Sequence, residues 1–238
     1  NFQLLRNSKN LGFARAFNQG IKKARGKYIL VTNDDVIFDK NTLLELVKVA
    51  ESGAKIGIVG PRMFFRDEPR QRPGRQNLMA LPGFRVNLWL GYHPYDNQNQ
   101  DKIREMDVAT GGCILIRKLL FSRIGLFDEG FFFCGEDYDL CFKARYAGYR
   151  VMYCPTAIVW HSFLGSGNKD IYSLFAHYRG KFRFILIHSS LPQLAFFLPI
   201  QLMVGIKNPR PIVSALFWNL RNIQNTLESR KKVNELKS

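Results

Sequence analysis

An α/β fold, with a mixed central sheet, flanking helices and a helical C-terminal tail, is what this sequence predicts, on three observations. The apolar, β-prone run Lys27-Tyr28-Ile29-Leu30-Val31-Thr32 gives way abruptly to polar residues, as a buried strand does where it leaves a sheet. Before it, Leu11, Ala14, Phe17, Ile21 and Ala24 recur at the spacing of a core-facing helical stripe flanked by Gly12 and Gly20. Later, a strand-like stretch over 108–116 precedes a second amphipathic pattern, Leu140, Ala144 and Ala147 with Lys143 and Arg145 between them.

Each element carries polar residues at a telling place. Asn33, Asp34 and Asp35 lie where the first strand ends, the edge at which α/β sheets place ligands. Asn33 and Asp35, one residue apart, point to the same side of an extended segment and can share a hard cation with phosphate oxygens, an arrangement suited to a nucleotide diphosphate. On the first helix, Arg15 and Asn18 face away from the apolar stripe, either toward such a nucleotide or, for Arg15, into solvent. Gly111 and Gly112 interrupt the 108–116 stretch, where glycine marks a bulge or a close approach of ligand to backbone. In Gly135-Glu136-Asp137-Tyr138-Asp139-Leu140, Glu136 and Asp137 fall in the first turn of the second helical pattern. The helix dipole alone can account for acids there. Adjacent acids also repel, which raises one pKa toward a value useful to a general base.

Taken in order, Asn10-Leu11-Gly12-Phe13-Ala14-Arg15-Ala16-Phe17-Asn18-Gln19-Gly20, Ala24-Arg25-Gly26-Lys27-Tyr28 and Asn33-Asp34-Asp35-Val36 resemble the nucleotide-sugar half of family 2 inverting glycosyltransferases, near the rhamnosyltransferase-like branch. Thr110-Gly111-Gly112-Cys113, Gly125-Leu126-Phe127-Asp128-Glu129, Glu136-Asp137-Tyr138-Asp139-Leu140, Ala147-Gly148-Tyr149 and His161 follow in the family's order. The resemblance covers about residues 1 to 180 and implies a GT-A fold.

It further implies that Asp35 is the main metal-binding carboxylate, with Mg2+ or Mn2+ as the ion, and that His161 completes the metal shell. Asn33 would contact the nucleotide or a metal-bound water, and Asp34 would have a lesser part. Asn10, Gly12, Arg15, Asn18, Gly111 and Gly112 complete the expected donor-binding set. Asp137 matches the catalytic base, and Glu136 orients the acceptor or shapes the pKa of that base. A glycosyl donor with a diphosphate leaving group then reacts by single displacement with inversion, and no Ser/His/Asp constellation argues for a covalent intermediate. The acceptor is expected to be a glycan or a lipid-linked hydroxyl.

The chain has 238 residues, a formal charge of +16 and a hydrophobic fraction of 46%, enough for one substantial core and a signal of anionic partners. Nucleic acid is disfavoured, because no helix-turn-helix, zinc-finger or RNA-recognition signature is present and the acidic clusters would repel phosphate without a metal. An anionic membrane surface is favoured by the apolar stretch 182–206 beside Lys207, Arg210, Arg221, Arg230, Lys231 and Lys232. Pro192, Pro199 and a polar patch divide that stretch, so two short interfacial helices are expected ahead of a membrane span, the alternative being a helical cap on the catalytic domain. Cys113, Cys134, Cys141 and Cys154 lack zinc-ligand spacing and are expected to be reduced, in a cytoplasmic protein peripheral to the inner face of the cell membrane.

The expected organisation is a catalytic domain over 1–168, lacking the family's first strand-helix-strand unit, and a helical, membrane-associated region over 169–238. The Pro- and Gly-rich stretch 66–105 reads as a substrate-side insertion in which Arg70, Arg72 and Arg75 either bind an anionic acceptor or are solvated. Two other functions fit less of the pattern: a non-catalytic relative that binds nucleotide sugar or glycan, and a basic protein that binds nucleic acid or membrane.

Overall fold

The structure is a computed structural model that describes residues 2–65, 85–90, 100–162, 171–204 and 209–237. Arg70, Arg72 and Arg75 lie outside the described residues, as does most of the expected insertion.

Strands β1 (Tyr28–Thr32), β2 (Val36–Phe38), β3 (Ile56–Phe65), β4 (Arg104–Glu105), β5 (Cys113–Arg117) and β6 (Arg150–His161) form one mixed sheet in the order β1-β5-β3-β6-β2, with β4 also paired to β6. β3 and β6 run parallel and the other pairs antiparallel. β3 reads as a nearly continuous apolar run because it is central and covered on both faces. Its register on β6 jumps from Pro61 opposite Cys154 to Arg62 opposite Ile158, at a proline that has no N–H to give the ladder.

The predicted β1 is present. The stretch 108–116 is corrected: the strand is β5, which begins only at Cys113, after a turn in which the Cys113 N–H reaches the Thr110 carbonyl. Gly111 and Gly112 end the approach to the strand instead of bulging within it.

One face of the sheet is covered by α2 (Thr42–Glu51), whose Leu46, Val49 and Ala50 meet Val59, Leu115 and Cys154. The other receives α1 (Phe13–Lys23), α3 (Leu120–Ile124) and α4 (Glu136–Tyr146). Four helices follow: α5 (Ile171–His188), α6 (Leu191–Val204), α7 (Pro209–Arg221) and α8 (Ile223–Lys237).

The C-terminal helices share a core with the sheet. Ile58 and Ile114 of the sheet belong to the same buried cluster as Ile185, Phe197, Ile212 and Val233. The stretch 182–206 divides as its polar patch predicts, between α5 and α6, yet much of it is packed on the α/β unit as a helical cap. Among the described residues no helix is long and apolar enough to cross a membrane.

Arg183 of α5 joins these layers. It is 0% exposed, and its Nη2 donates to Asp128 Oδ2 at 2.6 Å, to Asn225 Oδ1 at 2.9 Å and to Ser229 Oγ at 3.1 Å, while Nη1 donates to Thr226 Oγ1 at 2.9 Å. The guanidinium thereby ties α5 to α8 and to the loop after α3. Its planar fork is what allows one side chain to serve so many acceptors. Gly130 makes room for it, since a Cβ there would collide with the guanidinium. We predict that Arg183→Met, by stripping Asp128 of its buried cation and the α8 hydroxyls of their donor, lowers unfolding free energy by about 3 kcal/mol. Urea denaturation read by circular dichroism would check this.

Candidate functional site

β1 and β2 are separated only by the corner Asn33-Asp34-Asp35, and the sheet fixes what that corner meets. The Asn33 N–H donates to the Gly112 carbonyl at 3.0 Å, and the Thr32 hydroxyl donates to the same oxygen at 3.3 Å. The antiparallel register pairs Val36 with His161, which carries the end of β6 alongside Asp35. His161 Nε2 lies 2.8 Å from Asp35 Oδ1 and 3.3 Å from Asn33 Nδ2. Burial lowers the His161 pKa and outweighs the opposing charge and hydrogen bond of Asp35, so the imidazole is held toward its neutral, ligating form. Gly112 belongs to this packing: a Cβ on it would stand 3.1 Å from Met63 Cε and 3.3 Å from the His161 ring.

The other half of the site is the start of α4. Cys134 at φ 64° and Gly135 at φ 99° turn the backbone through the left-handed region immediately before Glu136. A non-glycine residue held there is a local strain that its surroundings must maintain. Asp137 then takes the Gly111 N–H on Oδ2 at 2.8 Å and the Tyr138 N–H on Oδ1 at 2.9 Å. Burial raises its pKa in spite of those two donors. Glu136, 5% exposed, is pushed up to about 8 by burial and then by the Asp137 charge. The third acid of the turn behaves oppositely. Burial would raise Asp139, but Lys143 at 2.9 Å and His188 at 2.9 Å hold its carboxyl well below the usual range.

These pieces border one cleft of about 250 Å3, lined by Asn33, Gly111, Gly112, Glu136 and Asp137 on one side. Asp35 and His161 stand directly behind Asn33 and Gly112. Asp34 is solvent-exposed.

The remaining expected residues are placed elsewhere. Asn10 Oδ1 accepts the Gly12 N–H at 2.9 Å, and Gly12, at φ 79°, opens α1 so that the Phe13 N–H reaches the Phe132 carbonyl at 2.9 Å. Both residues therefore seat α1 against the segment leading into Cys134. Arg15 pairs with Glu129 at 3.5 Å, with both side chains about half exposed. Asn18 corrects the reading of that helix face. It is buried, its amide donating to the Phe127 carbonyl at 2.9 Å and to Glu129 Oε1 at 3.1 Å while accepting the Phe127 N–H at 3.1 Å. The polar face of α1 packs on the loop after α3, so Asn18 clamps that loop and does not line the cleft.

Sequence reasoning missed the opposite wall. His177, Lys181, Phe184 and Ile185 of α5 face Glu136 and Asp137 across the cleft. The available signal was Lys181 and Arg183 within an apolar run, since cations there need partners inside the protein.

Among the described residues no group of three or more His, Cys, Asp and Glu could hold a metal ion. Asp35 and His161 form a pair. That is compatible with a hard cation which takes one or two protein ligands and completes its shell with substrate phosphate and water.

The raised acids give a pH signature. A carboxyl at 4.5 unfolded and about 8 folded favours folding at low pH, and that contribution is lost as pH rises through about 8. Glu136→Gln is therefore predicted to gain stability relative to the parent between pH 5 and pH 9, read by urea unfolding at several pH values. A constant difference across that range would refute the assignment.

Comparison with known proteins locates this geometry. The sequence profile of glycosyl transferase family 2 matches residues 1–125. The chain is 27% identical over 206 residues to the N-acetylglucosaminyl-diphospho-decaprenol L-rhamnosyltransferase of Mycobacterium tuberculosis, covering 78% of this chain and 67% of that protein. It is 29% identical over 172 residues to rhamnosyltransferase WbbL of Escherichia coli, covering 69% of this chain and 63% of the relative. Among solved structures, GalNAc-T7 with UDP, GalNAc and Mn2+ superposes with a TM-score of 0.60 at 17% identity, over 81% of this chain and 37% of that one. The Pyrobaculum calidifontis mannosyltransferase PcManGT with GDP-Man and Mn2+ gives 0.51 at 16%, over 93% and 57%. These likenesses show a GT-A fold.

Proposed function

Since the chain belongs to glycosyl transferase family 2, we propose that its cleft transfers a sugar from a nucleoside-diphosphate donor to an acceptor hydroxyl with inversion at the anomeric carbon. The observation that carries this reading is the placement of Asp137: a buried carboxylate with raised pKa, oriented by the Gly111 N–H, on a cleft that Asn33 and Gly112 also line, with Asp35 and His161 behind them. A base poised upward from the ordinary aspartate value suits proton removal from a hydroxyl near neutral pH.

Asp137 accepts the hydroxyl proton as the acceptor oxygen forms its bond to the anomeric carbon and the bond to the nucleoside diphosphate breaks on the opposite face. The Gly111 N–H on Oδ2 and the Tyr138 N–H on Oδ1 hold the carboxylate in one orientation. Asp35 and the neutral His161 would hold Mg2+ or Mn2+, with Asn33 beside them. Bound there, the cation would offset the charge that develops on the departing diphosphate. Glu136 orients the acceptor or tunes the base. Rhamnosyl transfer to a lipid-linked glycan in cell-surface polysaccharide synthesis is supported by the two rhamnosyltransferase relatives, one of them named for a diphospho-decaprenol substrate.

An anionic membrane surface fits the outer face of the helical cap. Val213, Phe217 and Leu220 recur on one face of α7 and are exposed, Phe217 by 61%, with Arg210 and Arg221 exposed near its two ends. Phe196 and Met203 of α6 are exposed as well. Apolar side chains flanked by cations suit an anionic leaflet.

Two experiments test these readings. Calorimetric titration with UDP and dTDP is expected to show binding that requires Mn2+ and is lost in Asp35→Ala. Asp137→Asn should keep that binding within about twofold while transfer falls by roughly 10^3-fold or more, in the range of a lost general base. Transfer that survives Asp137→Asn would reject the base assignment, and binding that ignores both metal and Asp35→Ala would reject the donor site. For the membrane face, sedimentation with phosphatidylglycerol vesicles should exceed that with phosphatidylcholine and drop roughly tenfold in F217E/L220E. Equal sedimentation with both lipids would reject it.

A further inference from the structure

His188, the last residue of α5, takes no part in the chemistry proposed above and does not line the cleft, yet it is buried among groups that fix its state. Its Nε2 lies 2.9 Å from Oδ1 of the buried Asp139, whose other oxygen pairs with Lys143 at 2.9 Å. The rings of Phe142, Tyr146 and Phe184 enclose the imidazole, with centroids at 5.3, 5.7 and 4.7 Å. Asp139 is ionised and can only accept, so Nε2 carries the proton and donates. Nδ1 is buried with no hydrogen-bond partner among the described residues, and a second proton there would be an orphan donor. Burial lowers the His188 pKa in the same sense, against Asp139 and with Lys237 and Lys143. The contact therefore keeps one form, a neutral imidazole donating to a carboxylate.

That contact completes a stripe. Gly180, Phe184 and His188 recur every four residues and so share one face of α5. Gly180 meets the Cys134 carbonyl, Phe184 meets the rings of Tyr138 at 5.8 Å and Phe142 at 5.0 Å, and His188 meets Asp139. Packing of glycine on backbone and of ring on ring leaves a helix free to slide or roll by small amounts. A hydrogen bond between buried partners does not, because it weakens steeply with misalignment. His177, Lys181, Phe184 and Ile185, on the same turns of α5, form the cleft wall opposite Glu136 and Asp137, so the register of the stripe is also the register of the wall. From the other side α8 holds the helix end: Lys237 Nζ donates to the His188 carbonyl at 3.2 Å and Arg230 Nη1 to the Leu186 carbonyl at 2.6 Å, two acceptors that a helix terminus leaves open.

Resting on the glycosyl-transfer reading above, we propose that His188 and Asp139 are positioning residues for that reaction: their hydrogen bond sets α5 on α4 and so keeps the wall over Asp137 closed to water. Asp137 is faced by Glu136, Tyr138 and Cys141 of α4, by Cys134 before it, and by His177 and Lys181 across the cleft. His188 is faced by Asp139, Lys143 and Tyr146 of α4 and by Lys237 of α8. Since the imidazole is uncharged, replacing it with a neutral side chain leaves the charges around Asp137 as they were. Its loss reaches Asp137 through the placement of α5.

Carboxyl 13C titration of the full chain reads this without any substrate, the Asp137 resonance being assigned by its loss in Asp137→Asn. His188→Leu is expected to bring the Asp137 midpoint down by about one pH unit, toward the ordinary aspartate value, as water enters. His188→Gln, which keeps an N–H donor for Asp139, is expected to hold the midpoint near that of the parent. An unchanged midpoint in His188→Leu, or an equal fall in His188→Gln, overturns the proposal. The 15N spectrum of His188 in the parent decides independently of whether either variant folds. A neutral ring with its proton on Nε2 is expected from about pH 5 to about pH 8, where a free histidine would change charge. A charged ring, or a proton on Nδ1, overturns the proposal. Failure of the glycosyl-transfer reading shows elsewhere, as transfer that survives Asp137→Asn, and leaves both spectra as they were.

Discussion

A close approach of two backbones controls the rest of this molecule: Gly180 of α5 lies against the carbonyl of Cys134, where any Cβ would collide. Only glycine lets the helix come so near. Because α5 sits there, the left-handed turn at Cys134 and Gly135 is covered, and Glu136 and Asp137 begin their helix under a roof instead of in solvent. Desolvation then raises both acids, which a surface helix start would not do. The same approach converts a groove at the sheet edge into a cleft with two walls. Arg183, about one helical turn further along α5, fastens that roof to α8 and to the loop that Asn18 clamps from the other side.

The fold and one wall of the site were legible in the sequence because they rest on local signals. The run Tyr28–Thr32 alternates burial as a strand should, and Asn33, Asp35 and His161 meet because strand register carries them there. Gly111, Glu136 and Asp137 also converge, through a hydrogen bond that joins residues distant along the chain. What could not be read was the far wall. The stretch 182–206 has the composition of a membrane-facing segment, and composition does not say whether apolar residues meet lipid or a protein core. Here Phe182, Ile185 and Phe197 are buried, whereas Phe196 remains outside. Asn18 illustrates the same limit at one residue: helical spacing placed it opposite the apolar stripe, and only the tertiary loop at Phe127 decided that this face too is covered.

Charge is distributed by partner as much as by position. The net excess of +16 does not mean an evenly basic interior. Buried cations such as Arg183 and Lys143 are met by acceptors of the fold, Asp128 for the first and Asp139 with the Leu126 carbonyl for the second. Half-buried cations take uncharged acceptors as well: Lys181 donates to the Gln201 side-chain oxygen and Arg117 to the backbone carbonyls of Ile56 and Ala50.

The first turn of α4 shows how neighbouring identical groups are assigned different work. Glu136, Asp137 and Asp139 share one helix start, so the helix dipole acts on all of them and cannot explain why their pKa values separate. Asp139 faces Lys143 and His188, whose positive charge and hydrogen bonds overcome burial and keep it ionised as a strut between α4 and α5. Asp137 has only neutral N–H donors, from Gly111 and Tyr138, and burial prevails. Glu136 has no ion-pair partner among the described residues and an incomplete set of donors, and it rises to about 8. Separation of titratable neighbours by environment is how one site can hold a proton acceptor beside a proton donor. In this turn the ionised strut keeps α5 in place, and α5 in place is what keeps the other two acids out of water.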